Sequence, residues 1–311
     1  MEGLAQGVIS LLGPTAICDL IVTGILRGSM YALMATGLSL VFGVMNIPHF
    51  AHGEFYMLGT YTAYFAYVLF HFPPFVAILS AALVGLFAGV LVEKLVFHPL
   101  RRHHPEQWVQ NTFLVTVGLS FIMQNAALAL WGGQYRGITQ YWQGTIQLFS
   151  GMHVSVDRVI SFVIAISSIV ALWWFLDFTR MGKAIRAVAQ DESGALLVGI
   201  DLHQIHSVTF GLSSLMAALA GASLLSLNPA YPTVGLAPLY KSWFVVVLVG
   251  LGNMGGAIPG GFILGLVETF SYYALGSGWQ DAISLSILIL ILLFKPAGLF
   301  GSRVRNLSNT S

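Results

Sequence analysis

Residues 75–97 read FVAILSAALVGLFAGVLVEKLVF, and this stretch decides the fold. Across 75–92 the only polar side chain is Ser80, and no residue is charged. A bilayer core of ~30 Å takes ~20 apolar residues of helix, so the run predicts a membrane crossing. Comparable runs occupy 20–42, 55–72, 113–131, 159–178 and 208–227. Three less regular ones follow at 243–251, 258–275 and 282–293, the first two short or broken by glycine. The expectation is an all-α, polytopic integral membrane protein of about 8–10 transmembrane helices, some short or Gly/Pro-broken. It forms a single domain over 1–311.

Composition agrees. Of 311 residues 57% are hydrophobic and 8% charged, whereas a soluble domain carries roughly a quarter charged residues. Lipid must therefore be the solvent for most of the surface. The 34 glycines suit membrane helices. A net charge of +1 excludes nucleic-acid binding driven by phosphate neutralisation. The single cysteine, Cys18, excludes an internal disulfide and a Cys-rich metal site. The first basic residue is Arg27, so the positive n-region of a cleaved signal is missing and the first span is expected to be retained. The longest polar stretches, 132–158 and 179–206, are too short to enclose cores of their own.

Charge sets the expected orientation. Segments 94–102, 180–186 and 295–305 hold nine of the thirteen Lys and Arg: Lys94, Arg101, Arg102, Arg180, Lys183, Arg186, Lys295, Arg303 and Arg305. The opposite side holds Arg27, Arg136, Arg158 and Lys241. The positive-inside rule then makes the three segments cytoplasmic, with the N-terminus outside and the C-terminus inside. On that topology the glycosylation-like Asn306 and Asn309 face the cytoplasm and are irrelevant.

The segment at about 179–201, TRMGKAIRAVAQDESGALLVGID, is the most informative polar stretch. Helical spacing puts Ile185, Val188 and Ala189 on one face and Arg186, Gln190 and Asp191 elsewhere. Gly199 reads as a C-terminal stop, and Asp201 with Gln204 as a capping box opening the next helix. The expectation is one short helix along the membrane face.

Here the sequence becomes recognisable. Arg180-Met-Gly-Lys-Ala-Ile-Arg-Ala-Val-Ala-Gln-Asp191 followed by Leu197-Val-Gly-Ile200 resembles the coupling loop of permeases in branched-chain amino acid ATP-binding cassette importers. Asn46-Ile-Pro-His-Phe-Ala-His-Gly-Glu54 resembles the Asn-Phe-Ala-His-Gly-Glu signature of the H-type (LivH-like) subunit, rather than the Leu-Gly-His-Ala variant of its M-type partner. Ile47-Pro48 departs from the usual pair there. Phe97-His-Pro-Leu-Arg101, the Gly-rich run at 250–261 and Lys295-Pro-Ala-Gly-Leu-Phe-Gly301 continue the likeness in order.

The resemblance implies a bacterial or archaeal inner-membrane subunit that translocates branched-chain or related amino acids. Its implied partners are an M-type permease, two cytoplasmic ATPase subunits and an external solute-binding protein. It would couple to the ATPases through Arg180, Gly182, Lys183, Arg186 and Gly199, with Gly182 and Gly199 setting the ends of the docking helix. No Gly-x-x-x-x-Gly-Lys-Ser/Thr loop occurs, so the chain is read as a transport subunit and not an enzyme, without cofactor or metal. Urea or amide import by the same family is the nearest alternative. An ion-coupled carrier needs several interacting intramembrane acids or bases, and Glu268 alone reads as lying well inside an apolar run.

Gly250-Leu-Gly-Asn-Met-Gly255 matches a dinucleotide fingerprint after an apparently strand-like 245–249, but the fingerprint needs a soluble βαβ unit, and Pro259 and Gly260-Gly261 should interrupt its helix. An internal repeat explains the run better. A shift of 207 residues superposes Gly43, Asn46, Gly53, Phe55 and Thr62 on Gly250, Asn253, Gly260, Phe262 and Thr269. Each copy has an apolar run, a Gly-x-x-Asn break and a second run; chance identity among Gly-rich segments is the alternative. Paired breaks point to a transport path, so Asn46 and Asn253 are expected beside it. His52, Glu54 and Glu268 join the pathway candidates. His49, His52 and Glu54 read as a polar break rather than a metal triad, having no fourth ligand nearby.

Overall fold

The computed structural model describes residues 14–103, 108–147 and 153–301. Arg303, Arg305, Asn306, Asn309 and both chain ends lie outside the described residues.

All nine predicted apolar runs are helical. They are α1 (Pro14–Met45), α2 (His52–Tyr64, prolonged by a π turn Phe65–Leu69), α3 (Pro74–Val92), α4 (Trp108–Trp131) and α5 (Val156–Phe178). Two short helices, α6 (Arg180–Gln190) and α7 (Glu192–Leu197), precede α8 (Leu202–Ser223), α9 (Leu236–Val249), α10 (Met254–Leu275) and α11 (Gln280–Phe294). Helix α3 continues through a π turn, Glu93–Phe97, into His98–His103. Among the described residues seven helices are long and apolar enough to cross a membrane; of the nine apolar runs, those of α2 and α9 are the exceptions. The chain is a multi-pass, all-α membrane protein. Its only described strands, β1 (Thr145–Gln147) and β2 (His153–Ser155), pair antiparallel between α4 and α5.

Burial sorts the helices into a centre and a rim. In α1 and α8, 83% and 78% of the most apolar window is buried; in α4 and α11 the figure is 11%. Helix α2 lies wholly within the bundle, with Phe55, Tyr56 and Tyr61 fully buried. This explains how a helix holding His52 and Glu54 can exist here: protein, not lipid, surrounds it, and both side chains find partners there, although Glu54 Oε2 and Tyr61 Oη have none among the described residues.

Small residues bring the central helices together. The Gly24–Gly28 edge of α1 faces the Gly261–Gly265 edge of α10, and Gly85 and Gly89 of α3 lie against Ser214 and Ala218 of α8. Without a hydrophobic drive between helices in lipid, such backbone approach supplies van der Waals contact that larger residues would prevent.

The Val-rich 245–249 is helical, as the apolar run 243–251 predicts, because α9 is enclosed by other helices and the helix satisfies its own backbone there. One expectation fails locally: Pro259 does not break α10. It stands in the second turn, after an N-cap at Asn253, where only one further carbonyl loses its donor.

Candidate functional site

Two breaks organise the centre. Helix α1 ends at Met45, and Asn46 takes a left-handed conformation (φ 54°) that directs the chain back into the bundle. Helix α2 then starts half-way along α8: His52 Nδ1 lies 3.4 Å from Ser213 Oγ and Nε2 lies 3.2 Å from the carbonyl of Met34. Met34 stands eleven residues before the end of α1, ~16 Å at 1.5 Å per residue, so 46–51 is a re-entrant segment.

Helix α9 starts at the same level. Gly53 of α2 and Gly235, the N-cap of α9, pack backbone to backbone with no room for a methyl on either. From there α9 runs the other way, its 14 residues covering only ~21 Å. It ends at a second break, where Gly250 and Gly252 adopt positive φ (104° and 79°) and Asn253 Oδ1 accepts from the Gly256 amide at 3.0 Å, capping α10. Asn253 Nδ2 also donates to the carbonyl of Phe300 at 3.0 Å. The two breaks touch, Gly43 lying against Gly252.

Above the meeting point of α2 and α9 lies a cavity of about 450 Å³. It opens among the start of α5 (Arg158, Ser161), the end of α8 (Leu224), the start of α9 (Ala237, Lys241) and Gln280 of α11. Arg27, Met30, Tyr31 and Met34 of α1 form one wall and Tyr56 of α2 reaches its base. Its volume falls in the ~300–1,000 Å³ range of small-molecule sites.

Glu268 is fully buried behind this wall. Its Oε2 accepts from Tyr31 Oη at 2.6 Å and Gln280 Nε2 at 2.8 Å, and its Oε1 pairs with Lys241 Nζ. Lys241 also pairs with Asp281, so one ammonium ties α9 to α10 and α11. A carboxylate at a span's centre costs ~3 kcal/mol on insertion scales, which this network offsets.

Of the pathway candidates, Glu268 alone reaches the cavity, through Tyr31 and Lys241. His52 and Glu54 sit deeper: Glu54 Oε1 accepts from Ser120 Oγ and Gln124 Nε2, both at 2.7 Å, joining α2 to α4. Asn46 is exposed beyond the far end of α1, and Asn253 lies with it at the touching breaks. Among the described residues four carboxylates are buried, not Glu268 alone: Glu54, Glu93, Glu268 and, at the start of α5, Asp157, which accepts from the Tyr141 and Trp142 amides. Glu93 pairs with Arg101 and accepts from Ser207 Oγ at 2.5 Å, whereas Glu54 has only neutral donors among the described residues. Neither Glu54 nor Glu93 is flanked by long apolar runs on both sides, so hydropathy hid them. Among the described residues no group of three or more His, Cys, Asp or Glu is placed to hold a metal.

The 179–201 segment caps the opposite end of the bundle, beyond the end of α5. It is two helices rather than one. Thr179 Oγ1 accepts from the Gly182 amide at 2.9 Å, so α6 begins at Arg180, not at Gly182. Gly182 instead lets the first turn lie against the backbone of Phe175 and Leu176. Asp191, in an extended conformation, divides the segment: its amide closes α6 on Ala187 and its carbonyl opens α7 to Ala195, both at 3.0 Å. Gly199 (φ 85°) ends α7 as expected: Ile200 donates to the Ala195 carbonyl and Gly199 to that of Leu196, both at 3.0 Å, a Schellman cap. Asp201 Oδ1 caps α8 through the His203 and Gln204 amides (2.9 and 3.4 Å).

The buried face of α6 is Gly182, Ile185 and Val188. Ala189 is exposed, because contact with α5 follows the i, i+3 row. Arg180, Lys183 and Arg186 are exposed, and Arg186 pairs with Asp177 at 2.6 Å. Sequence reading missed the elbow between α7 and α8, where Leu197 and Val198 are 89% and 77% exposed. Three adjacent apolar residues outside any span, Leu196 to Val198, were its signal in hydropathy.

The other basic segments share this end. The rings of His98 and His203 lie 4.0 Å apart, Arg101 feels the charge of Glu192, and Leu299 and Phe300 donate to the carbonyls of Leu248 and Val249.

Residues 20–292 match the family described as "Branched-chain amino acid transport system / permease component". The chain is 30% identical over 294 residues to the high-affinity branched-chain amino acid transport system permease protein BraD of Pseudomonas aeruginosa, covering 90% of this chain and 94% of that one. It is likewise 30% identical over 292 residues to LivH, the corresponding permease of Escherichia coli, with 89% and 93% covered. The ribose import permease RbsC of Haemophilus influenzae is 26% identical over 298 residues, 91% of this chain and 87% of that one. No solved structure matches.

Proposed function

The chain belongs to the family of branched-chain amino acid transport permease components, and on that premise we propose that it is the H-type membrane subunit of an ATP-binding cassette importer. Two ATPase subunits dock on its cytoplasmic face, an M-type permease completes the path, and an external binding protein delivers leucine, isoleucine or valine. The elbow carries this reading. Leu197 and Val198 protrude from the same segment that carries the exposed basic residues Arg180, Lys183 and Arg186, and apolar anchors with charged surroundings are characteristic of protein interfaces. The cavity opens at the other end of the bundle, where an external donor would deliver solute.

In this reading ATP-driven closure of the ATPases pushes on α6 and α7 together. Gly182 seats α6 on α5, and Gly199 holds the elbow's shape. The breaks at Asn46 and Asn253 flank the path, with His52, Glu54 and Glu268 stabilising the helices around it. Replacing Leu197 and Val198 by Asp should abolish leucine-stimulated ATP hydrolysis by the assembled transporter while leaving membrane insertion unchanged; full stimulation would refute the docking role. A cysteine at Lys183 should resist impermeant reagents applied to intact cells, and labelling from outside would reverse the orientation.

A second reading rests on Glu54, whose carboxyl has no cationic partner among the described residues and so resembles a proton-carrying acid. It predicts leucine uptake by the isolated chain in liposomes under a proton gradient alone. The importer reading predicts none without ATPase. The likeness to a ribose permease makes ribose, alongside urea, the competitor to test against leucine.

A further inference from the structure

We infer that the cavity between α1 and the end of α8 is a binding site for a zwitterionic amino acid, with the carboxylate held by Arg27. The inference rests on the importer reading for its solute class but on the cavity alone for its chemistry.

The cavity wall has three cations, Arg27, Arg158 and Lys241. Lys241 is committed to Glu268 and Asp281. Arg27 and Arg158 pair with no carboxylate among the described residues. Arg158 is exposed at the mouth. Arg27 differs: it lines the cavity from within the bundle, and its enclosed Nη1 has no hydrogen-bond partner among the described residues. A guanidinium not committed to a carboxylate presents paired N–H groups that match one.

The rest of the wall suits the remainder of such a molecule. The Asn228 side chain donates to Tyr56 Oη at 3.3 Å, and its amide oxygen accepts no bond among the described residues, so it is available to an ammonium. Met30, Met34 and Leu224 supply an apolar surface for a branched side chain, and methionine adapts to differing shapes. A sugar has no anionic group for Arg27, and urea would leave most of this volume empty.

The test uses the full-length chain in lipid nanodiscs, with Cys18→Ser and a single cysteine at Leu227→Cys, a cavity-lining position. Leucine at about ten times its dissociation constant should slow modification by an impermeant thiol reagent about tenfold, the factor by which it depletes the free site. Leucinol, which lacks the carboxylate, and 4-methylpentanoate, which lacks the ammonium, should protect far less. Arg27→Gln should abolish protection by leucine, and Arg27→Lys should retain part of it. Equal protection by leucinol, protection surviving Arg27→Gln, or none in the parent chain would overturn the site. Leucine uptake by the assembled wild-type transporter is measured in parallel. Uptake without protection removes the site alone, and absence of uptake removes the functional reading.

Discussion

The two breaks use the same residue for opposite purposes. Asn46 closes a helix: its amide donates to the Phe42 carbonyl at 2.9 Å, and its left-handed backbone turns the chain. Asn253 opens one, its side chain capping α10 while Gly250 and Gly252 make the turn before it. The 207-residue offset aligns the two asparagines, but α2 starts seven residues after Met45 and α10 five after Val249. Matched asparagines therefore mark where a helix is interrupted, not how. Asparagine serves both roles because it tolerates positive φ and also accepts from free helix amides.

The contact between the breaks should be the most sensitive point. Gly252→Val places a branched side chain at φ 79° against the backbone of Gly43. The left-handed conformation costs ~1–2 kcal/mol and overpacking ~1–3 kcal/mol, so the detergent-solubilised protein should show the largest fall in thermal midpoint. A fall no greater than that of an exposed-site control would mean that the breaks do not bear on each other.

Next come substitutions that separate the two roles. Asn253→Ala should lose about 1 kcal/mol with its cap, and Asn253→Ser should restore most of it. At Asn46 the order reverses: Asn46→Gly should stay within a few tenths of a kcal/mol of the parent, since glycine accepts positive φ freely. Asn46→Ser should lose about 1 kcal/mol to left-handed backbone strain. Midpoints measured for the four variants would show a crossed order, and parallel orders at the two sites would erase the distinction.

Hydropathy revealed the lipid-facing rim more readily than the centre. Helices α3, α4 and α5 announce themselves because uninterrupted apolar sequence has no other stable home. Helix α2 carries His52, Glu54, Thr60 and several tyrosines, so its place at the core follows only from neighbours such as Ser120, Gln124 and Ser213 that bond His52 and Glu54. The cavity was illegible for the same reason. Arg27, Lys241 and Gln280 are far apart in the chain, and only the early start of α9 brings Lys241 to Glu268. The 179–201 segment was readable in outline from Gly199 and Asp201. Its division at Asp191 was not, because the residues on both sides favour helix.

Gly53 against Gly235 bears on how such a bundle can move. Helices whose side chains interlock shift in steps, each knob leaving one hole for the next. Here bare backbone meets bare backbone, so there is nothing to disengage. A slide of one residue along α2 would drive Glu54 into that contact, whereas tilting about it displaces no side chain. The joint at the root of α2 and α9 is therefore shaped to permit rocking of one short helix upon the other and to resist sliding.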